Sequence, residues 1–397
     1  MPDNIGGGAG AVRGLKVAVI CGHPRSLKLF RADLLKAMRQ AGHEVIAVGP
    51  AADADTLAFL DDIGVGYRKI GIDRASISPL GDLRTWRHLH RLFKSERPDC
   101  VLAYTIKPVV YGILAARTAG VGNRYAMITG LGYAFTEGAA FSAKRALVRL
   151  VAQALYSVSL RLASGVIFQN RDDHAQFRSS RILPAGKATL IVPGSGIDLQ
   201  HFAQVSVPQK TSLLVIARLV AAKGVREYIA AARDVARDHP DVAFGLVGAF
   251  DPNPSAISAS EVEAAVRQGV LTYHGETTDV RPYLAECSIY VLPSYREGMP
   301  RSVLEAMAVG RAVITTDVPG CRETVEPSVN GLLVPARNAR ALEEAMRVLI
   351  ADRERVVDMG RHSRAKVERQ FDARVVSAAL VRFCGLETEA SRKLRSA

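Results

Sequence analysis

The chain has 397 residues, enough for two or three domains with cores of their own, and its 48% hydrophobic and 23% charged residues match a water-soluble globular protein. No uncharged apolar run reaches the ~18–20 residues of a membrane span, and the cysteines at 21, 100, 287, 321 and 384 have no CxxC or metal-ligand spacing, so they read as reduced thiols in a cytoplasmic protein. The net charge of +13 sits almost wholly in the first half, where residues 1–190 hold 26 Lys and Arg against 14 Asp and Glu; with aromatic residues at 6% and no nucleic-acid-binding motif, the basic half predicts an anionic membrane face, on which the protein sits peripherally, and no nucleic acid.

Met1 to Gly14, rich in Gly and Ala, reads as a disordered leader. Leu15 to Cys21, Glu44 to Val48, Cys100 to Ala103, Arg124 to Ile128 and Gly165 to Phe168 then read as buried strands. Helical stretches such as Leu27 to Ala41, Leu83 to Glu96 and Val109 to Ala119 lie between them. That alternation predicts an α/β, doubly wound parallel sheet over residues 15–195. Gly22 ends the first strand, and a glycine there lets a phosphate or sugar approach the backbone. Asp53-Ala-Asp55 lies away from any strand end and reads as a solvated helix start. Lys107, in a turn between strand and helix, is placed to meet a phosphate, and Gly130 opens a Gly-rich loop, Thr129 to Thr136. In the helical run Ala139 to Arg161, residues Arg145, Arg149, Gln153, Ser157 and Arg161 recur every four positions. They form a wet, basic stripe that reads either as the solvated face of a core helix or, with the basic first half, as a face lying at a membrane surface.

Pro193 to Asp198 is turn-rich and closes the first domain. The pattern restarts over 196–371, with strands at Ser212 to Ala217, Val242 to Val247, Leu271 to His274, Ser288 to Leu292 and Ala312 to Thr316. Two Rossmann-like domains facing a central cleft is the expected architecture. A last segment, 372–397, opens with Asp372 as the N-cap of a helix to Cys384.

Chemistry concentrates in the second domain. Arg218 ends its first strand and Lys223 stands near the next helix start. After the fourth strand comes Glu297-Gly-Met-Pro-Arg-Ser-Val-Leu-Glu305, with Pro300 to Val309 reading as a helix that has Pro300 in its first turn. The loop sits at the carboxyl end of a strand, where open α/β sheets bind ligands, and a helix start suits an anion. Glu305 falls about 12 Å along the axis from Glu297 if the helix is continuous. Two carboxylates gripping separate hydroxyls around a central anion describe a site for a sugar, a diphosphate and a ribose. The backbone of Met299, Arg301 and Ser302 faces the same ligand, and Arg218, Lys223 and the helix start supply the positive charge that a departing diphosphate needs, with no cofactor and no metal.

The Glu-x7-Glu spacing, followed by Ala306-Met307-Ala308-x-Gly310, resembles the retaining glycosyltransferases of family 4, which have the GT-B fold; the likeness runs from about Val17 to Phe383. The resemblance implies that Glu297 holds the donor sugar beside the reacting carbon and Glu305 the ribose, that Arg218 and Lys223 bind the diphosphate, and that backbone at His274, Gly275 and Thr277 cradles the base. It implies an acceptor held by the first domain, at Gly22, Lys107 and Gly130, a last helix that crosses back onto that domain, and a same-face displacement without a covalent enzyme intermediate. The loop from Thr129 resembles the branch that includes N-acetylgalactosaminyltransferases acting on polyprenyl-diphosphate sugars. A UDP-sugar donor and a lipid-linked saccharide acceptor are therefore expected. A UDP-sugar epimerase of the same fold and a non-catalytic nucleotide-sugar-binding partner are the alternatives.

Overall fold

The computed structural model describes residues 14–72, 79–130, 143–251 and 255–387. The leader before residue 14, the loop residues 131–136 and the Arg145 side chain lie outside these. Among the described residues the chain forms two compact units. One falls within Met1–Met127, Val158–Val166 and Ala378–Ala397, the other within Ile128–Ser157 and Ile167–Ser377.

The first sheet has β1 (Lys16–Ile20), β2 (Glu44–Gly49), β3 (Gly66–Lys69), β4 (Cys100–Tyr104), β5 (Asn123–Ile128), β6 (Gly165–Phe168) and β7 (Thr189–Ile191), in the order β3-β2-β1-β4-β5-β6-β7. The pairings of β1 with β2 and β4, of β2 with β3 and of β4 with β5 are parallel. Val17 to Ile20 and Cys100 to Ala103 are fully buried, which is why these strands are apolar on both faces. The order reverses between β1 and β4, a switch point of the kind that opens a crevice at the carboxyl ends of strands. Around this sheet run α1 (Arg25–Gln40), α2 (Ala54–Asp62), α3 (Pro79–Glu96), α4 (Ile113–Ala119), α5 (Ala143–Leu162) and α6 (Arg171–Ser179). Asp53 caps α2 by accepting the Thr56 N–H at 2.8 Å and pairs with Arg25 at 2.6 Å, while Asp55 pairs with Lys28. Both carboxylates thus serve the helix start.

The second sheet is parallel throughout, in the order β10-β9-β8-β11-β12-β13. Its strands are β8 (Ser212–Ile216), β9 (Ala243–Val247), β10 (Thr272–Tyr273), β11 (Ile289–Leu292), β12 (Ala312–Thr316) and β13 (Gly331–Val334). The helices that follow them are α7 (Val225–Asp238), α8 (Ala259–Arg267), α9 (Arg281–Glu286), α10 (Arg301–Ala308), α11 (Ala339–Ile350), α12 (Arg353–Gln370) and α13 (Ala373–Phe383). A Ser258–Glu261 capping box starts α8. Asp372 accepts the Arg374 N–H at 2.8 Å at the start of α13. Beyond it, Phe383 packs on Tyr125 and the Leu386 carbonyl meets His43 at 2.8 Å, all within the first unit.

Three strands go beyond the expected set. The residues of β3 are exposed or half-buried, so it lacks the apolar signal of a buried strand; β7 has three residues, and β13 is an edge strand begun by Gly331. The expected strand Leu271 to His274 is trimmed to two residues. The outward side of α5 also differs from a polar stripe. Gln153 and Ser157 are half-buried, whereas Leu150, Val151, Leu155 and Val158 are exposed between Arg149 and Arg161. All five cysteines are buried and free.

Candidate functional site

The segment that links β11 to α10 is held in shape by its neighbours. At the end of β12, the Thr315 and Thr316 hydroxyls donate to the carbonyls of Leu292 and Ser294. The Glu297 N–H donates to the Pro319 carbonyl at 3.1 Å, and the Tyr295 N–H to the Ala222 carbonyl at 2.9 Å. The second bond ties the loop to a single helical turn, Ala221–Lys223, that follows β8. Gly224 ends this turn with φ of +71°, and a Cβ there would sit 2.1 Å from the Pro293 carbonyl oxygen. Both facts require glycine.

This zipping brings two expected catalytic groups together. The Lys223 ammonium bonds Glu297 Oε1, which also accepts the Ser294 hydroxyl at 2.7 Å. The two side chains are 22% and 12% exposed, so the pair is open to a ligand at its edge. Arg218 makes its ion pair elsewhere: it is 66% exposed and bonds Asp251 at 2.8 Å.

Pro300 precedes α10 instead of starting it. Its ψ of 99° is extended, so it serves as the capping residue and the helix runs from Arg301. Its carbonyl accepts the Val303 N–H at 3.1 Å. The N-terminal pole of α10 is thus set directly after the Glu297 loop, with partial positive charge on its first N–H groups. Inside the helix, Glu305 is buried and takes the Arg301 guanidinium at 2.8 Å. Burial pushes its carboxyl above the usual 4.5, and Arg301 opposes that shift. Ser302 is half-buried in the first turn of α10, and Met299 lies over Gly194, where a Cβ would come within 2.6 Å of its Cγ.

Along the same edge, backbone bonds continue past the ends of the strands. The Ala217 N–H donates to the Val247 carbonyl at 3.0 Å and the Gly248 N–H to the Gly275 carbonyl at 2.8 Å. This aligns the chain at Arg218 and at His274–Gly275 on one rim of the sheet. His274 packs on Tyr283 with ring centroids 5.0 Å apart. The Thr277 hydroxyl is spent on a local turn, donating to the Asp279 carbonyl at 2.9 Å and accepting its N–H at 3.1 Å.

Sequence reasoning missed the other support of the Glu297 loop. Asn170 caps α6, and its Nδ2 donates to the Gly298 carbonyl at 2.7 Å. Asp173, 0% exposed, binds the Arg296 guanidinium, which also reaches Gln176 at 2.8 Å. Burial raises the Asp173 carboxyl above its ordinary 3.8, and Arg296 opposes that shift. Arg322 bridges Asp172 and Asp317, and Glu323 accepts the Arg171 N–H at 2.6 Å. A Cβ on Gly298 would lie 2.5 Å from the Thr129 carbonyl oxygen, and one on Gly130 would meet Gly298 Cα at 3.4 Å. The residues before and after Glu297 are therefore both pinned, and Gly130 lies against this loop. The one local signal is Asn170-Arg-Asp-Asp173 directly after the apolar β6, a helix start with its acids in the first turn.

Of the expected acceptor residues in the first unit, Gly22 is buried just beyond β1. Lys107 pairs with Asp82 at 2.8 Å, and Asp82 also takes the Tyr111 hydroxyl at 2.7 Å. In chemical terms, the rim of the second sheet offers two carboxylates and a helix pole within one continuous loop–helix unit, and an ammonium brought to it from the turn after β8. That set suits a ligand with an anionic centre and hydroxyls on either side.

The chain is similar to known proteins along most of its length. Residues 210–352 match the family model described as glycosyl transferases group 1, and residues 30–194 match the glycosyl transferase 4-like domain. The chain is 30% identical to the N,N'-diacetylbacillosaminyl-diphospho-undecaprenol alpha-1,3-N-acetylgalactosaminyltransferase of Campylobacter jejuni, over 89% of this chain and 93% of that protein. It is 24% identical to the UDP-Gal:alpha-D-GlcNAc-diphosphoundecaprenol alpha-1,3-galactosyltransferase of Escherichia coli, over 75% and 78% of the two chains. The sucrose-phosphate synthase of Thermosynechococcus elongatus shares the fold with a TM-score of 0.78 at 20% identity, over 96% of this chain and 99% of that one.

Proposed function

The chain belongs to the group 1 glycosyl transferases, with the GT-B fold, and from this premise we propose that it moves a hexose or N-acetylhexosamine from a UDP-sugar to a polyprenyl-diphosphate-linked saccharide, with retention at the anomeric carbon. The observation that carries the reading is the Lys223–Glu297 pair set beside the start of α10. Lys223 and the helix pole stabilise the departing diphosphate, and the exposed Arg218 exchanges Asp251 for the same anion. Their combined charge leaves no need for a metal. Glu297 grips the sugar hydroxyls and Glu305 those of the ribose. The backbone of Met299, Arg301 and Ser302 meets sugar and phosphate, and that of His274, Gly275 and Thr277 holds the base. Gly22, Lys107 and Gly130 serve the acceptor side. In the transfer, the bond from C1 to the phosphate oxygen breaks and the acceptor oxygen bonds C1 from the same face. The acceptor proton passes to the leaving phosphate.

The names of the two bacterial relatives, both transferases acting on diphospho-undecaprenol-linked sugars, support the acceptor class, and one specifies a UDP donor. We place the protein on the cytoplasmic membrane surface through α5, whose exposed Leu150, Val151, Leu155 and Val158 lie between Arg149 and Arg161. No helix among the described residues is long and apolar enough to cross a membrane.

The test is a screen of UDP-sugars with and without a polyprenyl-diphosphate-sugar acceptor in anionic vesicles, reading UDP release. Release that requires acceptor, persists in EDTA and accompanies co-sedimentation is expected. Conversion of a UDP-sugar without acceptor would indicate an epimerase, absence of turnover a binding partner, loss of activity in EDTA a metal site, and failure to co-sediment at low salt a protein free of the membrane.

Glu305 supplies a pH signature. Its raised carboxyl is protonated as pH falls toward and below a point lying above 4.5, and a neutral carboxyl is a poorer acceptor for the ribose hydroxyls. UDP affinity measured by calorimetry is therefore expected to weaken on the acid side of that point. In Glu305→Gln it should be about tenfold weaker near neutrality and should lack this acid limb. An unchanged acid limb in the variant would remove Glu305 from the ribose site.

A further inference from the structure

The first unit contains a groove of about 1210 Å³ that the donor chemistry leaves unused. It opens at the carboxyl ends of β2 and β3, bounded by the chain leaving each strand, by the length of α3 and by Lys107 beyond β4. β2 and β3 lie to one side of the reversal of strand order between β1 and β4, Lys107 lies to the other, and the carboxyl ends of strands are where open α/β sheets take ligands. Leu80, Arg84, His88 and Arg91 step along α3 by four, four and three residues, so they share one face of the helix. Arg84 and Arg91 stand about 10 Å apart along its axis.

The groove is cationic. Lys69, Arg84, Arg91 and Lys107 line it, and Asp82 is the one carboxylate in the described lining. That carboxylate is already matched by Lys107 and the Tyr111 hydroxyl. Among the described residues, Lys69, Arg84 and Arg91 have no carboxylate partner, and all three are exposed. Beside this charge lies an apolar path. Ile70 and Ile72 are each 7% exposed, and Leu80 is 70% exposed on the outer turn of α3. A multiply charged anion alone would leave these side chains unused. A nucleotide would seek an aromatic face, and His88 is the one ring in the described lining. An anion that carries a long alkyl chain satisfies both features.

We propose that this groove binds the diphosphate and the first isoprenoid units of the lipid-linked acceptor, with Arg84 and Arg91 on the diphosphate and Ile70, Ile72 and Leu80 along the chain. The proposal deepens the transferase reading given above and rests on it for the identity of the lipid. The test uses the full-length protein and the double variant Arg84→Ala, Arg91→Ala, which should fold normally because both side chains are solvent-exposed. Calorimetry with farnesyl diphosphate, and with inorganic pyrophosphate as a second arm, reads the groove without any transfer. Binding of farnesyl diphosphate to the wild type is expected, about tenfold tighter than pyrophosphate, and about 10- to 100-fold weaker in the variant. The KM for the lipid-linked acceptor should rise by a similar factor, with UDP affinity unchanged. Equal binding of the two diphosphates would make this a free-anion site, and unchanged binding in the variant would move the lipid elsewhere; either overturns the proposal. If the wild type transfers to no lipid-linked acceptor yet binds farnesyl diphosphate through these arginines, the groove stands and the transferase reading fails.

Discussion

Lys223→Ala is expected to lower kcat/KM by about 100- to 1000-fold in a protein that still folds. The ammonium sits on the turn after β8 and bonds Glu297 at the mouth of the β11–α10 loop. Charge grows on the leaving diphosphate as the sugar–phosphate bond breaks, so the interaction is strongest in the transition state. The loss should therefore appear mainly in kcat, with a smaller rise in donor KM. Glu297→Gln is expected to do less harm to folding, since the amide oxygen can still accept from Ser294, which lies 2.7 Å away in the wild type. In the proposed site the Gln variant nevertheless loses the charged grip on the sugar hydroxyls, and its donor KM should rise. Steady-state kinetics with saturating acceptor separate these effects. A change of less than about threefold in the Lys223 variant would place the diphosphate charge elsewhere.

Arg296→Ala is expected to destabilise the second unit by about 3–5 kcal/mol, because it leaves a fully buried carboxylate without its cation. Asp173 is 0% exposed and would keep its contact with Asn170 Nδ2 at 3.1 Å. The sign with pH follows from the direction of its shift. A carboxyl raised above its ordinary 3.8 binds its proton more tightly when folded, so the fold loses stability as pH rises through the interval above 3.8. Without Arg296 the shift is larger and the interval wider. The variant should be nearest to wild type in acid and furthest from it near neutrality. Adding Asp173→Asn removes the charge and should recover most of the loss. Thermal unfolding at several pH values checks all three statements, and a constant difference across pH would contradict them. Because the same guanidinium anchors the residue before Glu297, donor KM should rise in the single variant as well.

The elements that carry the candidate donor site were legible because their signals are local. The run from Ser288 to Thr316 contains β11, the loop, α10 and β12, and each is marked by an apolar run, a proline or a glycine within a few residues. Fully buried parallel strands carry no alternation, so their length and flanking turns suffice. The supports of the loop were not legible. Arg296 and Asp173 stand 123 positions apart, and nothing in either neighbourhood announces the other. The exposed strand β3 has no apolar pattern to read. Along α5, four-residue spacing of polar residues pointed to a wet stripe, but the packing of Ala152, Tyr156 and Leu160 turned Leu150, Val151, Leu155 and Val158 outward. Periodicity identifies a helix, while tertiary packing decides which of its faces is covered. Arg84 and Arg91 escaped notice for a related reason: arginines on a helix gain meaning only when a groove forms beside them.

The central claim is transfer of one sugar, with retention, onto a lipid-linked saccharide. Its most direct test is product analysis after incubation of the wild-type protein with a UDP-α-sugar and a polyprenyl-diphosphate-linked acceptor. Mass spectrometry should show the acceptor heavier by one hexose or N-acetylhexosamine, and proton NMR should show that residue α-linked. A β-linked product, or an acceptor that stays unmodified while each candidate UDP-sugar is supplied, would contradict the account.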